Sequence, residues 1–365
     1  MGEDINIISL TKKELRDAIL KNTYWDSDVI HMPFSKSKAN WILRNERIDD
    51  HDICAIIGTE NKTVISFIFL VPDIISTKTG TEKIFWSRRW WISKKYKDSI
   101  LPTYTMSVAM NAVNNKAVVK FLGKDIEEYY RKQPFTEFAY RTRYYIIFNL
   151  DSNIVLTKIN VLKNIKGIVK TLDNTSLTLI SFLNGLKAKK KTKHLTYEYV
   201  SDVDELLWQF IAPFCKKDLI PKSKEYISWQ IDNNQYTNAL IRNKYPKKCL
   251  ISSVYDRVYN SSYIIKKENT IIGFTSFLIR GNEVMVRYFI CEDDYLELCA
   301  NAIIENIVKL KATNIQTENE KLGRYIENQF IHLHNDKRKL YALAHNDMNI
   351  DFEHAIINDR DGNFA

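Results

Sequence analysis

Glycine and proline are scarce in this chain, 10 and 7 in 365 residues. That excludes long Gly/Ser or polyproline linkers and any collagen-like or low-complexity class. The five cysteines (Cys54, Cys215, Cys249, Cys291, Cys299) are odd in number, scattered, and never form a CxxC pair. No His/Cys cluster has zinc spacing, so reduced thiols in a cytoplasmic protein are expected, and no metal. No run reaches the ~18 uninterrupted apolar residues of a membrane span, and "MGEDINIISLTKKELRD" has no apolar signal core. Asn6 stands where a myristoylation pattern wants Ser or Thr. GxSxG, P-loop and HExxH motifs are missing too, as is any Ser–His–Asp pattern.

What is present is ordinary for a globular protein: 45% hydrophobic and 27% charged residues. The length exceeds that of a typical single core, so two domains are expected. A net charge of +9 favours anionic partners: phosphates, nucleic acid or an anionic membrane surface.

Periodicity supplies the elements. "TKKELRDAILKN" (11–22) reads as a helix opened by a Thr/Glu capping box, and "SKSKANWILRNER" (35–47) as a second helix. Strand-like runs follow at 52–60, 63–75 and 83–93, the first two joined by a turn at "TENK". A helix at 101–115 has Pro102 in its first turn. A short strand (117–123), a short helix (124–133) and a strand (140–150) complete the series. Residues 151–195 read as a helical connector ending in Lys187, Lys189, Lys190, Lys191 and Lys193. Helices at 202–215 and 223–234 then lead into a meander at 262–290, a helix at 295–312, and a strand, short helix and strand to 346. "TENKTVISFIFL" and "KKENTIIGFTSFL" are alike and roughly a domain apart, which predicts a tandem repeat of one α/β unit. The expected domains are 1–150 and 196–365, joined by 151–195.

This order resembles the GNAT (Gcn5-related N-acetyltransferase) superfamily. The resemblance implies two acyltransferase-like units, each a mixed, mostly antiparallel sheet flanked by helices. It also implies acetyl-CoA or another acyl-CoA as cosubstrate. In that family a turn after the third strand of the unit holds the cofactor diphosphate at a helix N-terminus. Here "WWISKKYKDSILPTY" occupies the place, with Ile92, Lys94, Lys95, Lys97 and Ser99 as candidate cofactor-binding residues. Neither glycine of the family turn is present, and the lysines would have to supply charge instead. "EEYYRKQPFTEF" resembles the segment bearing the family's Tyr general acid, which implies Tyr130 in that role, with Tyr325 of "GRYIENQF" its counterpart. In the second unit "CEDDYLELC" places Glu292, Asp293, Asp294 and Glu297 where they would repel a diphosphate, and these acids are expected to cap the helix that follows. "PKSKEYISWQIDNNQY" resembles a segment of large GNAT proteins of cell-surface polysaccharide pathways, with Trp229 in place.

N-acyl transfer needs a base for the amine. Glu82 is the candidate; Glu127 and Glu128 read as solvated helix charges, and His31 and His51 lie in loops. Strand alternation puts Trp86, Arg88 and Trp90 on one face, a stripe suited either to a sugar or aromatic acceptor or to core packing. Three readings remain open. The first is an acyl-CoA-dependent acyltransferase acting on a small amine or amino-sugar acceptor. The second is a Fem-type aminoacyl transferase using charged tRNA, and the third a non-catalytic GNAT-like binding protein.

Overall fold

Thr11 opens the first helix as its sequence predicts: its hydroxyl accepts from the Glu14 amide while the Glu14 carboxylate takes the Thr11 amide at 2.8 Å. The computed structural model describes residues 5–23, 34–61, 63–77, 80–120, 124–149, 166–236, 257–348, 356–358, 360–362 and 364. In chain order the elements are β1 (Ile5–Thr11), α1 (Lys12–Leu20), α2 (Lys36–Leu43), β2 (Ile53–Glu60), β3 (Thr63–Thr77), β4 (Gly80–Ile92), α3 (Leu101–Ala112), β5 (Ala117–Lys120), α4 (Lys124–Arg131) and β6 (Phe135–Ile147). They continue with α5 (Lys166–Thr192), β7 (Leu195–Val200), α6 (Glu205–Ile211), α7 (Lys224–Ile231), β8 (Val258–Lys267), β9 (Thr270–Arg280), β10 (Glu283–Cys291), α8 (Leu296–Lys309), β11 (Asn314–Thr317), α9 (Glu320–Gln329) and β12 (His334–His345). The connector is helical from Lys166 on; residues 151–165 lie outside the described residues.

The chain forms two compact units that interleave along the sequence. Unit 1 comprises Met1–Tyr140, Cys215–Asp256 and Leu340–Ala365; unit 2 comprises Arg141–Phe214 and Arg257–Lys339. The expected boundaries followed element order, whereas the units follow strand pairing. In unit 1, strands β1 to β5 are joined in order, and β5 pairs antiparallel with residues 342–344 of β12. In unit 2, strands β7 to β11 are joined in order, and β11 pairs antiparallel with residues 144–147 of β6. Each sheet thus takes its sixth strand from the far half of the sequence. Within each sheet β4 with β5, and β10 with β11, are the parallel pairs. The hairpins turn where expected: Asn61 (φ +47°) follows β2 and Asn269 (φ +65°) precedes β9, both in the left-handed region asparagine tolerates.

β1 and β7, which the sequence reading passed over, occupy matching places, each pairing antiparallel at one edge of its unit's sheet. Both alternate only weakly between buried and exposed residues, so the period-2 signal is faint.

Unit 1 buries residues on both faces of its sheet. One face packs Leu15 of α1 and Trp41 of α2, together with Tyr226 and Trp229 of α7, against Phe67, Phe69, Val71 and Trp86. The other packs Met106, Ala109 and Met110 of α3 and Tyr130 of α4 against Ile68, Leu70 and Phe85. On the first face Trp41 and Trp229 stack with centroids 4.1 Å apart, and each indole N–H donates to the other's backbone carbonyl (2.7 and 2.8 Å). Asp73, fully buried in β3, accepts from Arg47 (2.7 Å), Tyr226 (2.7 Å) and the Trp86 indole (3.0 Å). Beside it Lys222 bonds Asp361 at 2.6 Å and lies 3.7 Å from Asp218, with all three side chains out of solvent. These contacts bind α7 to the sheet and Asp361 to the segment that precedes α7.

Two predictions follow from this packing. Trp229→Ala removes the stack and both indole bonds and should cost about 3–5 kcal/mol in urea unfolding. Leu206→Ala, at a side chain 61% exposed, should stay within about 0.5 kcal/mol. Burial pushes the Asp218 carboxyl up to about 6, against the opposing pull of Lys222. The folded protein therefore holds a proton there that the unfolded chain releases near pH ~4. Native protein binds more protons across that window, so this group's contribution to stability falls as pH rises from about 4 to about 6. Asp218→Asn abolishes the titration. Its stability relative to wild type should climb across that interval and be flat on either side, as read by denaturation at a series of pH values.

Candidate functional site: the parting of β4 and β5

β4 and β5 are parallel but pair only at Phe85↔Ala117 and Trp86↔Val118. β4 then runs on to Ile92 and β5 to Lys120, so the two strands leave a gap: among the described residues they are not paired beyond Trp86 and Val118. Arg88 reaches into this gap and donates to the Lys120 carbonyl at 3.2 Å. Lys120 is itself buried, its ammonium donating to the Asn358 carbonyl at 2.6 Å.

The expected Trp86–Arg88–Trp90 stripe does not survive in the strand. Phe67 pairs with Trp91 and Phe69 with Arg88, so three steps on β4 oppose two on β3. This β-bulge turns the residues after Arg88 over. Trp86 and Trp91 pack into the core with α2 and α7, while Trp90 packs with α3 and α4 on the opposite face. Trp86 is wholly buried; its indole N–H goes to Asp73, and Gly362 lies on its ring. A Cβ on Gly362 would sit 2.5 Å from that ring, and its φ of +63° also favours glycine. Trp229 is likewise spent in its stack on Trp41. The side chain of Arg89 and all of His31 lie outside the described residues.

Trp90 stands in a row of rings. Its centroid is 4.6 Å from Tyr129 and 6.4 Å from Tyr130, which contacts Phe135 at 5.0 Å; Phe135 in turn meets His345 at 5.2 Å. Tyr130 is buried and bonded to the Ser87 side chain, and burial drives its phenol well above the ordinary range. It is therefore a neutral hydrogen-bond donor that keeps its proton at physiological pH. Two buried polar atoms beside it, the Trp90 indole nitrogen and the Tyr129 hydroxyl, have no hydrogen-bond partner among the described residues. Buried donors are seldom left unpaired, and an unpaired pair of them is what a bound polar group would satisfy. His345 was not singled out by sequence; only the strand exchange brings β12 beside β5.

The other sequence-predicted residues fall in two places. Glu82 lies five residues before Ser87, about 16 Å along the strand, and pairs with Lys116 at 3.1 Å. The structure does not bring it to Tyr130. Glu127 and Glu128 form exposed pairs with Arg131 and Lys132, as solvated helix charges do. Ile92 ends β4 opposite Ser66, and a short 3-10 turn (Lys94–Tyr96) leads toward α3.

That turn tests the fit of a cofactor diphosphate. The amides of Tyr96, Lys97 and Ser99 donate to the carbonyls of Ser93, Lys94 and Tyr96. The Leu101 amide donates to Ser99 Oγ at 3.1 Å, and Pro102 has no N–H. These four backbone donors are thus used within the turn, and Ser99 serves the helix start. Lys95 is engaged by both Glu60 oxygens at 3.1 Å. Lys94 and Lys97 are exposed and form no ion pair among the described residues. The residues present therefore fit a polar acyl end at Trp90 and Tyr129. At the turn the amides of Tyr96, Lys97, Ser99 and Leu101 are already taken, and Lys94 and Lys97 offer side-chain charge to a diphosphate.

In unit 2 two of the four corresponding acids are occupied. Asp293 pairs with Lys321 at 2.6 Å and Glu297 with Lys191 at 2.9 Å, while Asn301 donates to the Tyr325 hydroxyl at 2.9 Å. They do not cap α8 as expected: its N-cap is Tyr295, without a side-chain bond, because a 3-10 turn (Asp293–Tyr295) intervenes.

No protein-family model matches the sequence, and no curated protein does. Among solved structures the chain is similar to Saccharomyces cerevisiae N-myristoyltransferase with bound myristoyl-CoA. The TM-score is 0.53 at 12% identity, over 98% of this chain and 90% of that one. A second structure of that enzyme, also with bound myristoyl-CoA, gives 0.51 at 11% identity over 94% and 79%. A GCN5-related N-acetyltransferase from Kribbella flavida is similar at 0.46 and 8% identity, over 93% and 71%. The chain has the GNAT-type acyltransferase fold, with two such units.

The orphaned hydroxyl makes a distinction that thermal unfolding can read. Tyr129→Phe removes an unpaired buried hydroxyl and should leave stability unchanged or raise it by up to about 1 kcal/mol, whereas Tyr130→Phe breaks the Ser87 bond and should lower it by about 1 kcal/mol.

Proposed function

We propose that unit 1 is an acyltransferase centre, moving an acyl group from an acyl-CoA thioester to a small amine or amino-sugar acceptor at the parting of β4 and β5. The observation that carries the reading is the pair of unsatisfied donors, Trp90 Nε1 and Tyr129 OH, set beside a phenol held neutral by burial. A thioester carbonyl gathers negative charge as an amine adds to it, and two preset neutral donors stabilise that charge. Tyr130, neutral and oriented by the Ser87 bond, can donate a hydrogen bond to a departing thiolate, while the proton that the amine releases on acylation is the one the thiol keeps. Lys94 and Lys97, exposed beyond the end of β4, attract the anionic part of the donor as point charges. Trp229 and its segment support a role in cell-surface polysaccharide metabolism by resemblance only.

The turn at 93–101 favours a second reading. The amides of Tyr96, Lys97 and Ser99 are satisfied within it, and a chain that keeps the fold but has lost the cradle would be a non-catalytic binding protein. Charged tRNA, the donor of a Fem-type transfer, is the third arm of the test. Ligand that binds only the native state raises its stability, by about 2.7 kcal/mol at a hundredfold excess over Kd. Thermal unfolding should shift upward with acetyl-CoA or a longer acyl-CoA, and the shift should shrink in Lys94→Glu/Lys97→Glu. A response to neither donor would sink the catalytic reading, and a response to aminoacyl-tRNA alone would replace it with the Fem-type one.

A further inference from the structure

α5 buries one side and exposes the other. Ile180, Asn184, Ala188 and Thr192, four apart, face inward, and Asn184 exchanges hydrogen bonds with Ile331 (2.8 and 2.9 Å). On the outward side Leu179, Phe182, Leu183 and Leu186 are 56%, 61%, 40% and 55% exposed. Their spacing of three and four places them in one stripe, which runs on through Lys189, Lys190 and Lys193 one turn further along. Exposed leucines occur singly on most proteins, but four in contiguous helical register with a phenylalanine among them mark an interaction surface.

The charge of this face is of one sign. From Asn174 to Tyr197 the sequence has no Asp or Glu. Lys191 is neutralised by Glu297 and Lys187 is drawn onto the Gln329 carbonyl, but Lys189, Lys190 and Lys193 form no ion pair among the described residues. The stripe therefore presents hydrocarbon followed by uncompensated ammonium groups. A partner must be apolar where the leucines enter and anionic where the lysines lie. We propose that this face of α5 docks on an anionic lipid surface, with Leu179, Phe182 and Leu186 in the acyl boundary and Lys189, Lys190 and Lys193 among the headgroups. The contact is peripheral: no helix among the described residues is long and apolar enough to cross a membrane. The inference stands apart from the acyltransferase reading, since α5 lies in unit 2 and the candidate centre in unit 1.

Co-sedimentation of the full chain with phosphatidylcholine vesicles, with and without phosphatidylglycerol, tests it. Binding is expected with the anionic vesicles only and should weaken as salt is raised. Phe182→Ser/Leu186→Ser and Lys189→Gln/Lys190→Gln should each lower partitioning by about tenfold or more, with unchanged circular dichroism and Tm because all four side chains are exposed. Failure to bind phosphatidylglycerol vesicles overturns the proposal, as does equal binding by the variants or by neutral vesicles. A wild-type dimer that Phe182→Ser/Leu186→Ser converts to monomer also overturns it, by assigning the stripe to a second copy of the chain.

Discussion

Unit 1 depends on one buried carboxylate. Asp73 follows Pro72 in the interior of β3 and receives bonds from Arg47, from Tyr226 of α7, from the Trp86 indole and from the Ile74 amide. Its pairing with Arg47 is almost free of solvent, so removing either partner would strand a buried charge at a cost of about 3–5 kcal/mol. The guanidinium also lies 3.5 Å over the Tyr226 ring and donates to the Pro221 carbonyl. A segment far along the sequence is thus held against β3 and β4. The Trp41–Trp229 stack and the Lys38–Gln235 bond extend the same docking along α2. Because Trp86 gives its only polar atom to this node, the strand that borders the candidate site is fixed from behind, and its front is left to Trp90.

The bulge in β4 divides the aromatic-basic stretch between two tasks. Before it, Trp86 and Arg88 serve the interior and the edge of the gap; after it, Trp90 joins Tyr129 and Tyr130 on the other face. One added residue reverses every side chain beyond it, since strand side chains alternate with period two. A surface that seems continuous in sequence becomes two surfaces on either side of a sheet. The site that results is small and defined by hydrogen-bond need: two donors without partners among the described residues, beside a phenol that keeps its proton.

The two units use the same sheet order with different chemistry at the matching turn. Unit 1 carries lysines beyond β4, two of them unpaired among the described residues, and unit 2 carries acids beyond β10, two of which pair with lysines. The electrostatic contrast disfavours a diphosphate at the second turn, where the 3-10 segment already carries Asp293 and Asp294. Sequence showed this contrast without help, because charge sign needs no coordinates.

What the sequence determined by itself was local. Apolar periodicity located most helices and strands, the Thr11/Glu14 box marked a helix start, and the asparagine turns set the hairpins. The order of those elements sufficed to indicate the fold. Tertiary structure alone decided which strands close each sheet, since pairing between β5 and β12, or β11 and β6, joins residues too distant for any local pattern to register. It alone placed His345 near the tyrosines, set Asp73 among its donors and consumed the amides of Tyr96, Lys97 and Ser99. A bulge is a mismatch between two strands, and a buried ion pair is a meeting of two segments; each is a property of a pair, which one stretch of sequence cannot express.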